Sequence, residues 1–412
     1  MPELIIHRGT NEIGGSILEL SSNGTKILFD FGIPLESMDC KDYSINDYKP
    51  ELNGLYKDEP LQYQAIFLTH AHPDHYGLLE LINPAIPIYA SKVTFDILSK
   101  VAPMTTKFKT GNLNLHVIDD VVAVGDFAVK IHNVDHSIAG ACAFEIKIGD
   151  KVLVYTGDLR FHGRCAWQSS KLAKLAQEPD YLIMEGTTLG RAEQNIVTED
   201  DLIPKFVEVF ESEKLPVVMF SPQNLDRFIT VYKACLKTKR TLVIDPYTCF
   251  LLDIYKQVSN NIPQIDWNNI GVYFVRNSIT QGLAENKELY KYKHNAKKIS
   301  IEDILKTPEK YVIKGNFGIN HKLFKKLPKG NLSIIYSMWK GYLEKPSYLD
   351  EYKDIIIPIH TSGHAYIKDL QDFVEMIKPK SIIPIHTENK EKYAELFDAK
   401  IIELNNGEIL KL

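Results

Sequence analysis

The stretch Thr69-His70-Ala71-His72-Pro73-Asp74-His75-Tyr76-Gly77 sets three imidazoles and a carboxylate within six residues. It follows the apolar run Ala65-Ile66-Phe67-Leu68, which reads as a buried strand, and precedes Leu78-Leu79-Glu80-Leu81-Ile82, which reads as a helix. A strand that ends in a His-rich loop and then turns into a helix can aim several ligands at one point. Imidazole and carboxylate at this density suit zinc. The four groups can also serve two metals, with His70 and His72 on one and Asp74 and His75 on the other. A His-rich surface turn is the simpler alternative. A buried cluster without a metal, however, leaves ring nitrogens unsatisfied or charges repelling one another.

The loop resembles the HxHxDH signature of the metallo-β-lactamase superfamily. The resemblance implies further ligands from distant positions, and residues of the right type stand where strands end. Asp158 follows Val152-Leu153-Val154-Tyr155 in Thr156-Gly157-Asp158, where the glycine lets the backbone turn and present a carboxylate able to bridge two cations. His136 follows the strand from Phe127 to Ile131, and His386 follows Ile382-Ile383-Pro384-Ile385. Asp30, ending Ile27-Leu28-Phe29, matches the family's first motif and is expected to orient histidine ligands by hydrogen bonds without touching metal.

Two more signals narrow the branch. Asp180-Tyr181-Leu182-Ile183-Met184-Glu185 is another strand ending in an acid, and Ile359-His360-Thr361-Ser362-Gly363-His364 precedes His386. With a long segment free of zinc-type motifs between them, the layout resembles the β-CASP group and, within it, RNase J and its relatives. Glu185 then matches motif A, His364 motif B and His386 motif C. Ser221-Pro222-Gln223-Asn224-Leu225-Asp226-Arg227-Phe228 looks like the first strand-to-helix turn of the inserted cap. There are departures. Thr387-Glu388 stands where the family has Gly-Glu, and Lys314-Gly315-Asn316-Phe317-Gly318 replaces a Gly-Ser-Gln-Gly-like loop. The extra C-terminal domain of full-length RNase J is expected to be absent.

The expected fold is α/β: an αββα metallo-β-lactamase sandwich with an inserted parallel-sheet β-CASP cap. Residues 1–200 and 346–412 would form the sandwich and 201–345 the cap. Within the cap, Val217–Phe220, Thr241–Asp245, Tyr273–Val275, Tyr311–Ile313 and Leu332–Tyr336 read as parallel strands. Ile367 to Ile377 has helical spacing.

At 412 residues and 44% hydrophobic, the chain can bury a large core and more than one domain. No apolar run is long enough to span a bilayer, and Met1-Pro2-Glu3-Leu4-Ile5-Ile6 reads as a strand and not a signal peptide. Cys40, Cys142, Cys165, Cys235 and Cys249 are scattered and odd in number, which reads as free thiols in a reducing cytoplasm. A net charge of −5 is not the footprint of a protein that coats nucleic acid by bulk charge. Bound zinc would reverse the sign locally. The basic runs Lys291–Lys298 and Lys322–Lys329 suit a solvated helix face as well as a phosphate-tracking one, and the 21 tyrosines offer stacking platforms that sequence cannot place.

The resemblance implies a zinc-dependent ribonuclease, exo- or endonucleolytic, acting on single-stranded RNA. His70, His72 and His136 would hold one ion, Asp74, His75 and His386 the other, and Asp158 would bridge. The resemblance implies two Zn²⁺ per chain, and the same N/O ligand set would accept Mn²⁺. A hydroxide held between the ions would attack the phosphodiester, with Asp74, His364 and Glu185 as the catalytic set. His364, paired with Glu185, would protonate the leaving oxygen and leave 5′-phosphate and 3′-hydroxyl ends. A helix-terminal role for His364 is the structural alternative. Ser362 and the backbone at Gly363 could hold a phosphate. His132, His162, His360 and Asp135 suit supporting roles. A DNA nuclease of the same group, a thioester or lactone hydrolase and a non-catalytic scaffold are the rival readings. A homodimer is compatible with the sequence, and no membrane partner is expected.

Overall fold

The computed structural model describes residues 1–36, 44–101, 104, 112–191, 195–275 and 277–412. The chain forms two compact units, Met1–Asn195 with Gly363–Leu412, and Ile196–Ser362.

The first unit is built on two seven-stranded sheets. One runs in the order Ile409–Lys411, Glu3–Arg8, Ile17–Ser22, Thr25–Phe29, Tyr63–Leu68, Pro87–Ala90, Asn114–Val117. The other runs Lys400–Ile401, Ser381–Ile385, Tyr181–Glu185, Lys151–Tyr155, Cys142–Ile148, Phe127–Asn133, Val121–Val124. Alternation along the strands sends one set of side chains between the sheets. Phe29, Phe67, Phe127, Phe144, Tyr155, Ile183 and Ile385 meet there, with Phe29 stacked on Phe67 at 5.3 Å and tilted against Phe144 at 5.4 Å. The opposite set faces outward and is buried by helices. Val154, Leu182, Met184 and Ile382 lie in one cluster with Leu172 and Ala173 of the helix Ala166–Leu175 and with Leu370, Phe373 and Ile377 of Ile367–Ile377. Leu28, Ile66 and Leu68 pack with Leu55, Tyr76, Leu79 and Leu98 on the other side. This is the αββα sandwich.

Strand direction positions the site. Thr25–Phe29 runs parallel to Tyr63–Leu68, and Lys151–Tyr155, Tyr181–Glu185 and Ser381–Ile385 are mutually parallel, with Tyr155 opposite Ile183 and Glu185 opposite Ile385. Phe127–Asn133 is antiparallel to Cys142–Ile148, which is antiparallel to Lys151–Tyr155, so it shares their direction. The residues just past these strands therefore gather at carboxyl ends, where α/β sheets place ligands.

The second unit holds one six-stranded parallel sheet in the order Ile270–Val272, Thr241–Ile244, Tyr311–Lys314, Leu215–Met219, Leu332–Tyr336, Ile356–Pro358. Its helices start at polar caps: Asn224 accepts from the Arg227 N–H, Asp245 from Thr248 and Asn316 from Ile319.

Three expectations need correction. The helix after the His-rich loop is not Leu78–Ile82: the α-helix is Pro73–Tyr76, inside the loop, and Leu79–Leu81 is a 3₁₀ turn. Pro73 pre-sets the first helical position, so the turn begins early and carries Asp74 and His75 on its first residues. Tyr273–Val275 lies beyond its strand, which ends at Val272. Its partner Thr241–Ile244 stops at Asp245 to cap a helix, and the ladder has nothing further to pair with. Residues 346–362 were expected to return to the first domain but belong to the second unit, because Ile356–Pro358 pairs with Ile334–Tyr336 as the sheet's last strand. The units accordingly divide at 195/196 and 362/363 instead of 200/201 and 345/346.

Among the described residues no helix is long and apolar enough to cross a membrane. Cys142, Cys165, Cys235 and Cys249 are free thiols, and Cys40 lies outside the described residues. The basic runs find local partners: Lys291 donates to Asp253, Lys322 to the Tyr273 hydroxyl and Lys329 to Asp354.

The second unit is tied together by Arg227, which is fully buried. Its Nε and Nη2 each lie 3.1 Å from a Glu199 oxygen, and it also donates to the carbonyls of Ser337 and Thr361. Arg227→Ala leaves Glu199 charged and buried without its partner. We expect a loss of about 3–5 kcal/mol of stability, read by urea unfolding, with much of it recovered when Glu199→Leu is added.

Candidate metal centre

His70, His72 and His136 bring one nitrogen each within 4.8 Å of one another, and Asp74, His75, Asp158 and His386 form a second group by the same measure. Within the first, His72 Nδ1 lies 3.0 Å from His70 Nε2 and 3.3 Å from His136 Nε2. In the second, Asp74 Oδ2 is 3.4 Å from His386 Nε2 and 3.8 Å from His75 Nε2. Asp158 touches both: Oδ2 is 3.7 Å from His70 Nε2, 3.8 Å from His136 Nε2 and 3.3 Å from His75 Nε2, and Oδ1 is 3.8 Å from His386 Nε2. The structure thus brings together all seven residues expected as ligands.

The far side of each ring shows what these nitrogens can do. His75 Nδ1 is 2.8 Å from Asp30 Oδ2 and His136 Nδ1 is 2.7 Å from the Gly363 carbonyl, so both donate there. His70 Nδ1 meets the Thr69 hydroxyl at 3.0 Å, and that hydroxyl already donates to Asp30. His386 Nδ1 meets the Thr187 hydroxyl at 2.8 Å. With a proton committed to Nδ1, the Nε2 atoms of His70, His136 and His386 present a lone pair inward, while His72 turns its Nδ1 toward His70 and His136. Three imidazole nitrogens drawn this close, at 3.0 and 3.3 Å around His72 Nδ1, can share a cation in their midst. The spacing equals the roughly 3.3 Å edge of a tetrahedron with 2.0–2.1 Å Zn–N bonds. His75 Nε2 is buried and makes no hydrogen bond among the described residues. The residues fit two metal ions.

The electrostatics agree. Burial, aided by neighbouring imidazoles, pushes His70 well below the usual imidazole range. Burial also takes His136 well below it and His72 down to about 4. These rings stay neutral, the form that binds metal. His75 is the exception. Burial opposes its charge, but Asp158, Asp30 and Asp74 together raise it well above its ordinary value. Burial would likewise raise Asp158, yet the imidazoles of His386 and His75 hold it well below the carboxylate range. Several carboxylates focused on one buried ring mark a place for positive charge.

Local backbone geometry serves the same end. His386 has φ +53°, a left-handed conformation that a non-glycine residue adopts only where its surroundings compel it. Its N–H donates to the Gly9 carbonyl and its ring to Thr187. Gly157, also at φ +53°, has no room for a side chain: a Cβ there would lie 2.7 Å from the Thr69 Cβ.

Glu185 and His364 stand beside this centre. His364 Nδ1 is 2.9 and 3.1 Å from the two Glu185 oxygens and 3.9 Å from Asp158 Oδ2. Glu185 is buried. Its oxygens also accept from the N–H groups of Leu159 at 2.9 Å and Thr187 at 3.3 Å, and with Asp158, His364 and His386 it forms a third group whose ligand-type atoms lie within 4.8 Å of one another. His364 precedes its neighbouring helix, whose N-cap is Tyr366, and its ring is not spent on capping.

Asp30 accepts from the Thr69 N–H and hydroxyl, the Tyr155 hydroxyl and His75. His132 bonds Glu145, His162 lies 3.6 Å from Asp369, Asp135 pairs with Arg160 and His360 meets Arg227. Of the two soft phosphate candidates, Gly363 lies in the first unit and holds His136 through its carbonyl, while Ser362 lies in the second. Sequence reasoning missed Thr69, Tyr155 and Thr187, the hydroxyls that orient the ligands. Thr69 flanks the His-rich loop and Thr187 lies two residues past Glu185, whereas Tyr155 sits within an apolar strand pattern. Thr387, at a departure from the family pattern, is fully buried and donates to the Gly186 carbonyl.

Asp30→Asn keeps the shape but places an amide where His75 and Thr69 need an acceptor. Zinc affinity should fall about 10- to 100-fold, measured by competition with a chromogenic chelator. Unchanged affinity would refute the orienting role.

Residues 48–207 match the beta-lactamase superfamily domain, and residues 354–403 match the Zn-dependent metallo-hydrolase RNA specificity domain. The chain is similar to ribonuclease J of Mycoplasma genitalium, 24% identical over 93% of this chain and 67% of that one. It is also similar to ribonuclease J of Pyrococcus abyssi, 22% identical over 94% and 90%. It covers 55% of a ribonuclease J from Helicobacter pylori at 21% identity. A crystal structure of a protein of unknown function from Enterococcus faecalis V583 matches along the whole of both chains, with a TM-score of 0.78 and 26% identity. With its sandwich, parallel-sheet second unit and clustered HxHxDH histidines, this chain belongs to the metallo-β-lactamase superfamily of metal-dependent hydrolases, in the ribonuclease J-like β-CASP branch.

Proposed function

We propose that this protein is a zinc-dependent ribonuclease that hydrolyses single-stranded RNA and leaves 5′-phosphate and 3′-hydroxyl ends. The observation that carries the reading is the Glu185–His364 pair set 3.9 Å from Asp158. A hydrolase acting on a thioester needs the ligand clusters but expels a thiolate, which leaves without an added acid. A phosphodiester whose leaving group is a ribose oxygen needs a proton delivered. The match of residues 354–403 to an RNA specificity domain, which spans His364 and His386, supports the same substrate.

His70, His72 and His136 would hold one zinc ion, Asp74, His75 and His386 the other, and Asp158 both. Bound there, the ions would supply a water acidic enough to ionise near neutral pH and positive charge against the phosphodiester oxygens. Glu185 accepts from His364 Nδ1, which leaves Nε2 to carry the proton to the 3′ oxygen. Burial disfavours the His364 imidazolium, but the charges of Glu185 and Asp158 outweigh it and raise the ring above its ordinary value. Asp30, Thr69 and Thr187 hold the ligand rings in place. Manganese in the same N/O set, a DNA substrate and a homodimeric assembly are variants of this reading.

Equal-sequence 5′-labelled single-stranded RNA and DNA, incubated with zinc or manganese, test the proposal. RNA should be cut and the chelated protein inactive; hydrolysis of a thioester or lactone with neither polymer touched would sink it. His364→Ala should slow cleavage about 10²–10⁴-fold with metal content intact, and full activity would remove it from the chemistry. Because a raised acid loses its proton only at higher pH, the rate should fall as pH rises through that value. Glu185→Gln should move the fall to lower pH. A limb that stays in place would assign the proton to another group.

A further inference from the structure

We propose that a groove on the first unit, between the strand Phe127–Asn133 and the helix Ala166–Leu175, binds a single-stranded segment of RNA outside the metal centre. The inference rests on the ribonuclease reading above and adds a contact that the hydrolytic machinery does not use.

The groove measures about 300 Å³, and Lys130, His132, Trp167, Lys171 and Leu175 are among the residues lining it. Trp167, Lys171 and Leu175 are spaced i, i+4, i+8 and rise along one side of the helix. Ser169, Leu172 and Ala173 of the same helix are buried. Lys130 and His132 alternate along the strand and share its outer face. Trp167 is 60% exposed and its ring packs on no other aromatic among the described residues. With Leu175, 56% exposed two turns along the same side of the helix, the indole gives the groove an open apolar wall.

Charge selects the occupant. Glu145 lies directly across from Lys130 in the sheet, but its carboxylate is already taken by His132 at 3.0 Å and Lys147 at 3.3 Å. Lys130 and Lys171 form no hydrogen bond or ion pair among the described residues. Both lie close enough to oppose protonation of His132. Two lysines without counter-ions beside an open indole suit alternating phosphates and bases: the ammonium groups meet the backbone, and the ring stacks on a base whatever its identity. A protein partner would fit the indole and Leu175 but would have to bury unpaired ammonium groups or supply acids for both. The walls also tie the groove to the centre. The strand leads on to His136, and the loop that carries Asp158 leads into the helix.

The zinc-loaded full-length chain can be titrated with oligouridylate of about 20 nucleotides, following tryptophan fluorescence, and assayed on RNA of about 30 nucleotides and on bis(p-nitrophenyl) phosphate. Oligouridylate should quench the emission, and Trp167→Phe should remove most of that quenching although Trp267 and Trp339 remain. Trp167→Ala should weaken binding about tenfold. Lys130→Ala with Lys171→Ala should reduce the slope of log affinity against log salt by about 1.4. KM on RNA should rise in step, with kcat and hydrolysis of the small diester unchanged. Affinity, salt slope and KM all unaffected would overturn the proposal. So would a dimer that Trp167→Ala dissociates while oligouridylate binding holds, since the groove would then be a protein contact. If the wild type cuts no RNA while the variants still lose oligouridylate binding, the groove stands and the ribonuclease reading falls.

Discussion

The Asp30 carboxylate is the constraint on which the rest of the first unit depends. It sits fully buried just past the strand Thr25–Phe29, with φ +57°, and accepts hydrogen bonds from groups of both sheets. The Thr69 N–H and hydroxyl reach it from the end of one sheet's strand, the Tyr155 hydroxyl from the other, and His75 from the first turn of the His-rich helix. A buried charge of this kind is tolerated only when every lone pair is occupied. Satisfying it locks the two sheets in register at the edge where ligands emerge, and it sets the tautomer of His75. Through Thr69 it also sets that of His70. One carboxylate thus converts loose loop histidines into nitrogens of known direction.

The other ligands repeat the device with different acceptors. His136 leans on the Gly363 carbonyl and His386 on Thr187, so chain segments on either side of the inserted second unit meet in the orientation of single rings. This gives a physical account of how an insertion can be accommodated without loosening the centre. The strands that carry Asp158, Glu185 and His386 are hydrogen-bonded neighbours in a parallel sheet, and their register fixes the spacing of these residues whatever lies between them in sequence. Where the chain departs from the family at Thr387, the threonine hydroxyl bonds the Gly186 carbonyl. The departure strengthens the tie between these neighbouring strand ends.

Chemistry at the centre and contact at a distance divide between different kinds of residue. The residues of the candidate centre and the Glu185–His364 pair are buried or nearly so and held by hydrogen bonds, while Lys130 and Lys171 have no hydrogen bond or ion pair and Trp167 no aromatic neighbour among the described residues. Groups that act on reacting atoms need fixed positions, which burial and hydrogen bonds provide. Groups that hold a flexible polymer can remain open until it arrives. On the proposed reading, a chain with net charge −5 would engage a polyanion locally, at the candidate metal centre and at Lys130 and Lys171, without a basic surface.

The residue types and spacing of His70, His72, Asp74 and His75, and the strand ends at His136, Asp158, Glu185 and His386, were legible in the sequence by themselves. An apolar strand followed by a ligand-type residue is a local pattern, and so is the helical spacing of Ile367–Ile377, which the structure shows with those bounds. Three things were decided only by tertiary structure: the partners of each Nδ1, the membership of residues 346–362 in the second unit, and the pairing state of Lys130 and Lys171. The reason is physical. The direction of a ring, the sheet joined by a short strand such as Ile356–Pro358 and the presence of a counter-ion are settled by hydrogen bonds and charges between residues far apart in the chain. A local pattern of side-chain types carries no information about such distances.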